Sequence, residues 1–191
     1  MNWQWLAWGV LAPVLVAAGV CDLRRGVVYN WLTYPAIVAG LVLGAVEGAA
    51  AGDTLDGLTN HVLGLGFGFG ILFVAYLLGG MGGGDVKLMG AVGALLGWRD
   101  GAALEAMFYS FLVGAAIGLI VVIWRGQAGA VLRRLWMAIR ILPLPTATLD
   151  EATGTPTYRV PFGFAVCVGT LWHLAEKIAG WSLWDLASGV L

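Results

Sequence analysis

Residues 58–88 read LTNHVLGLGFGFGILFVAYLLGGMGGGDVKL. From Leu58 to Leu78 the stretch has no Asp, Glu, Lys or Arg, and the next such charge is Asp85. Roughly 20 apolar residues suffice for a helix to cross the hydrocarbon core of a bilayer. Leu58–Leu78 is therefore predicted to be a membrane span that leads, through a glycine-rich turn, to an aspartate at the membrane boundary.

The rest of the chain agrees with that solvent. Of 191 residues, 60% are hydrophobic and 11% charged, whereas soluble domains carry about 25% charged residues. Mean hydropathy is +0.88. The net charge of −1 gives no footprint for nucleic acid. Walking between charges predicts five further spans: Trp3–Val20, Trp31–Val46, Leu88–Trp98 (extended to 86–98), Ala106–Trp124 and Val160–Ala175. The fold class expected is thus an all-α, polytopic bundle of about six transmembrane helices, one domain over 1–191. The fourth span is short for a crossing at 1.5 Å per residue. It extends to Asp85, tilts, sits within the protein, or forms a re-entrant hairpin with the fifth.

Orientation follows from lysine and arginine. With both termini outside, the inner segments hold Arg24, Arg25, Lys87, Arg125, Arg133, Arg134, Arg140 and Arg159, against Arg99 and Lys177 outside. Trp3, Trp5, Trp98, Trp124 and Trp181 fall near span ends, as an interfacial belt requires. The cytoplasmic loop 125–159 opens with Val131–Leu142, a basic amphipathic stretch suited to an anionic surface. Pro143 and Pro145 stop it, and Thr146–Thr157 reads as a polar loop. Trp181–Leu191 is expected along the outer interface. Cys21 and Cys167 form no metal-binding or disulfide pattern, and no secretory cleavage site is read at Cys21. The expectation is no cofactor and no metal.

Acids at membrane depth are costly and usually functional. Glu47, Asp53, Asp56, Asp100, Glu176 and Asp185 are expected in outer loops, Asp150 and Glu151 in the cytoplasmic loop, and Glu105 in the first turn of the fifth span. His61 and His173 read as structural or interfacial. Two aspartates stand apart. Asp22 ends the first span and Asp85 follows the third, both on the side that the basic residues make cytoplasmic. Read blandly, Asp22 is a solvated charge paired with Arg24 or Arg25, and Asp85 is a helix N-cap. Read functionally, they form a catalytic pair. Most glycines, including Gly64, Gly66, Gly68, Gly70, Gly90, Gly93 and Gly97, are explained by close helix packing.

Gly82-Gly83-Gly84-Asp85-Val86-Lys87-Leu88 resembles the GxGD aspartyl site of type IV prepilin peptidases. Asp22-Leu23 followed by Asn30-Trp31-Leu32-Thr33 is similar to that family's first aspartate motif. Pro161-Phe162-Gly163 resembles a third pattern. Tyr29 and Phe164 stand where the family often has proline. The likeness is to the short Flp/Tad-type members without an N-terminal cysteine-bearing domain, so N-methyl transfer is not expected with the same force as cleavage.

The resemblance implies an aspartic endopeptidase of the bacterial inner membrane. It would cleave the basic leader of a prepilin or pseudopilin at the cytoplasmic face. Two carboxylates sharing a site do not both ionise readily, so one would polarise the scissile carbonyl while the other takes a proton from water. Asp22 and Asp85 are the expected catalytic residues. Gly82 and Gly84 would admit the substrate, Lys87 would bias the site or bind lipid phosphate, and Asn30 and Thr33 would shape and cap the second span. The rival classes are a small transporter or channel, a structural membrane subunit, and a related GxGD enzyme acting within the membrane. Tolerance of alanine at both aspartates would favour a structural subunit.

Overall fold

The computed structural model describes residues 3–78, 80–124, 126, 129 and 161–180. The segments expected at Val131–Leu142, Pro143, Pro145, Thr146–Thr157 and Trp181–Leu191 lie outside the described residues. Among those described, six helices and no strand are found: α1 (Trp3–Arg25), α2 (Asn30–Ala51), α3 (Thr54–Leu77), α4 (Gly83–Leu96), α5 (Ala102–Trp124) and α6 (Phe162–Ala179). The molecule is a polytopic helical membrane protein. By length and composition α1, α2, α3 and α5 are sufficient to cross a bilayer.

The two remaining helices depart from a simple row of six lipid-facing spans. α4 has 14 residues, about 21 Å of helix, against a hydrocarbon core of about 30 Å. It touches every other helix. The neighbours α1–α2, α2–α3, α3–α5, α5–α6 and α6–α1 also touch in turn, so five helices form a ring around a central sixth. Val86 and the whole run Leu88–Leu95 are buried. A helix apolar all round belongs inside a protein; of the four options for this segment, the extension to take in Asp85 and the interior placement are both seen. α6 carries Glu176, which is buried, and Lys177 in its last turns.

Close packing of the centre comes from residues with little or no side chain. The backbones of Gly64 on α3 and Gly93 on α4 meet directly, and Gly68 lies against the Met89 carbonyl. On α2, a Cβ at Gly40 would stand 2.5 Å from the Ala94 carbonyl oxygen. Between membrane helices no hydrophobic drive separates protein from lipid, so dispersion at short range carries the association. Gly97, at φ 74°, ends α4 in a conformation that side chains avoid. Beyond it Asn60 Oδ1 accepts from the Trp98 and Arg99 amides, at 3.0 and 2.7 Å, fixing the α4–α5 turn to α3.

The bundle's two ends differ in chemistry. At the end formed by the starts of α1, α3 and α5, acids meet cations. Arg99 Nη2 donates to both oxygens of Asp56 (2.6 Å each), and that hydrogen bond raises the guanidinium pKa above its ordinary value. Glu105 reaches both Lys177 (3.1 Å) and His173 (3.3 Å). His61 is buried, donating from Nδ1 to the Ala94 carbonyl at 2.7 Å, with Nε2 3.4 Å from Glu47. A cavity of about 350 Å³ opens here, bordered by Trp8, Glu47, His61, His173 and Lys177 among others. Glu176 corrects an expectation. It lies within α6 rather than in an outer loop, is 3% exposed, and accepts from Trp172 Nε1 at 2.8 Å.

Candidate active site

The opposite end joins the close of α1 to the starts of α2, α4 and α6. Asp22 sits one turn before the end of α1 and is buried. Its Oδ2 accepts a hydrogen bond from the Phe164 amide at 2.8 Å, one of the amides at the start of α6 that no helical carbonyl can reach. A carboxylate at a helix N-terminus is also favoured by the helix dipole. Asp22 is therefore no solvated surface charge. Arg25, which the bland reading would pair with it, donates instead to the Tyr29 hydroxyl at 2.8 Å.

Asp85 lies in the first turn of α4, with Gly82 as the N-cap residue. The N-cap role weighed for Asp85 is thus taken by a glycine one turn earlier. The side chain is partly buried. Asp85 Oδ2 faces Gly82, where a Cβ would stand 3.1 Å away. Asp85 Oδ1 faces Gly163 on α6.

Gly163 defines how close the aspartates come. A Cβ placed there would lie 3.0 Å from Asp22 Oδ2 and 3.0 Å from Asp85 Oδ1. The two oxygens are therefore separated by no more than twice that distance. With O–H···O bonds of about 2.7–2.8 Å a single water spans separations up to about 5.6 Å, most of the range that this bound leaves. Two acids 63 positions apart in sequence meet because α1 and α4 both pack on the start of α6.

The other residues singled out from sequence surround the pair without all touching it. Gly84 lies against Val28, with room for a Cβ only at 3.1 Å from the valine Cβ, and so seats α4 on the α1–α2 connection. Lys87 Nζ donates to Asn30 Oδ1 at 2.9 Å and lies 5.4 Å from the centre of the Tyr34 ring. Asn30 and Thr33 do not cap α2 through their side chains. The N-cap residue is Tyr29, which makes no side-chain cap bond. Asn30 instead ties α2 to α4 through Lys87, and Thr33 is buried with its hydroxyl 3.5 Å from the Asn30 carbonyl. Sequence reading did not assign a site role to Gly163 or to the Phe164 amide. The Pro161-Phe162-Gly163 pattern was the available signal, because a glycine near a helix start lets other groups approach the backbone closely.

The described residues hold no group of three or more His, Cys, Asp or Glu placed for a metal ion. The cavity at the far end contains neither aspartate among its lining residues. Two close carboxylates on bare backbone are the arrangement with chemical potential, because acid and base work requires groups within hydrogen-bond reach of one water or substrate atom.

Comparison with known proteins bears on residues 9–123, which match the type IV leader peptidase family. The chain is similar to the prepilin leader peptidase/N-methyltransferase of Aeromonas hydrophila, at 35% identity over 133 residues, 66% of this chain and 43% of that protein. The protein of the same name from Burkholderia pseudomallei is 33% identical over 61% of this chain and 37% of its own length. That from Myxococcus xanthus is 27% identical over 63% and 36%. The chain thus spans less than half the length of these curated relatives. No solved structure gives a significant match.

Proposed function

The chain belongs to the type IV leader peptidase family, and from that premise we propose that it is an aspartic endopeptidase whose working pair is Asp22 and Asp85. The substrate class is a prepilin or pseudopilin precursor, cut between its basic leader and its hydrophobic helix. The site faces the cytoplasm at the inner membrane of a bacterium, with both termini outside. The excess of arginine and lysine in the segments read as inner supports that orientation.

The observation that carries the reading is the convergence of both carboxylates on Gly163. In the reaction one carboxyl holds a proton and polarises the scissile carbonyl, while its ionised partner takes a proton from the attacking water. The proton passed to the leaving amine completes the cycle, and no covalent intermediate is required. The pair acts as a unit, so the two roles are not divided between the residues. Gly82 leaves open backbone beside Asp85, where an extended peptide can approach.

The test is cleavage of a purified prepilin by the protein in lipid nanodiscs. Asp22→Ala and Asp85→Ala are each expected to lower kcat by on the order of a thousandfold or more, with the melting temperature held. Native-rate cleavage by either variant would reject the pair. Loss of cleavage in both, with ion flux through liposomes absent, separates a peptidase from a transporter.

A further inference from the structure

We propose that Gly163 is a positioning residue that sets the spacing of the two carboxylates by presenting no side chain between them; this rests on the Asp22–Asp85 reading above. Among the described glycines it is the one whose Cβ would touch both aspartates, at 3.0 Å from Asp22 Cγ, Asp22 Oδ2 and Asp85 Oδ1. A carbon so near an oxygen forces its neighbour to give by a few tenths of an ångström. The question is which side gives.

α6 cannot back away. Gly169, two turns along, already lies on the α5 backbone at Ser110 and Tyr109, with a Cβ there 2.6 Å from Ser110 Cα. On the α1 side, Cys167 fills the space over Gly19, leaving 3.2 Å to a Cβ at that glycine. Phe162 packs on Phe111, ring centres 5.5 Å apart, and over Gly114. The helix is thus pinned from α1 and α5 within two turns of Gly163. The atoms that would meet the new methyl are, by contrast, the ends of two side chains. The carboxylates move and the backbone stays.

Moving them has a chemical cost. Asp22 Oδ2 would be drawn off the Phe164 amide at 2.8 Å, and the gap between the two carboxylates would widen. Misplacement of reacting groups by about 1 Å lowers turnover by up to about a hundredfold, and smaller shifts by part of that. Substrate held by its helix and leader, remote from this point, still binds.

Gly163→Ala is therefore expected to lower kcat about 10- to 100-fold with KM little changed and the melting temperature held. Gly82→Ala, whose Cβ meets Asp85 Oδ2 alone at 3.1 Å, is expected to lower kcat by less. Gly66→Ala, with nothing within 4 Å of its Cβ, is the control and is expected to leave both constants unchanged. The measurement is steady-state cleavage of a prepilin in nanodiscs, with thermal unfolding of each variant alongside. Unchanged kcat in Gly163→Ala, or a rise in KM alone, would overturn the proposal. So would loss of the folded bundle, which would make Gly163 a packing residue. If Asp22→Ala and Asp85→Ala also cleave normally, the catalytic pair itself falls. If they are inactive while Gly163→Ala is fully active, only the role of Gly163 falls.

Discussion

The glycines of the α3–α4 seam and the glycine at the start of α6 are the same residue used for opposite ends. Along the seam, Gly64, Gly68 and Gly93 bring backbone against backbone. A side chain there strikes atoms that cannot yield without parting two helices. At Gly163 a side chain strikes two carboxylate ends, which yield easily. The difference teaches how to tell a packing glycine from a site glycine: ask what a Cβ would displace. Substitution in the seam should damage the fold and spare the chemistry of the molecules that still fold. Substitution at Gly163 should do the reverse.

Four experiments press on that contrast. The largest effect belongs to Asp85→Asn, which keeps the side-chain shape and removes the charge. Cleavage should fall on the order of a thousandfold while unfolding in mixed micelles is unaltered. Next comes Gly93→Val, which overpacks the seam. A loss of about 3 kcal/mol in unfolding free energy is expected, with kcat per folded molecule preserved; a stable but inactive variant would blur the division drawn here. His61→Ala, at the far end, strands the buried Ala94 carbonyl and should cost about 1–3 kcal/mol, again without a change in kcat. The smallest effect is that of Arg99→Ala. Both partners of its pair with Asp56 are more than half exposed, so the loss should stay below about 1 kcal/mol and shrink further in salt.

How far the sequence could be read depended on the range of the interaction. Asp22 and Asp85 stood out because a charge beside an apolar span is conspicuous in one dimension, and both do lie at one end of the bundle. The interior position of α4 was one of several options, because its short uncharged run fits a buried helix as well as a tilted span. Asn30 and Thr33 were expected to act locally as caps. Asn30 is instead committed to Lys87, 57 positions away, a partner that local patterning cannot supply. Glu176 was assigned to a loop because a charge usually marks a span's end; here Trp172, one turn earlier, satisfies it inside the helix. Phe164 entered as a departure from a family proline. In the fold its side chain is secondary to its amide, since the bond to Asp22 is one that proline, having no N–H, could not make.

The enclosure of α4 has a consequence for how this protein answers to lipid. Membranes of different thickness tilt or stretch the helices they wet, at a fraction of a kcal/mol per ångström of mismatch. The central helix is wetted by none of them. Its depth is registered where its own carbonyls at Met89, Gly93 and Ala94 meet glycines of α2 and α3 rather than by acyl chains, so Asp85 keeps its level relative to its neighbours while the outer ring adjusts. Acyl-chain length should then act on turnover only through the ring's hold on α1 and α6, the two walls that bring Asp22 to meet it.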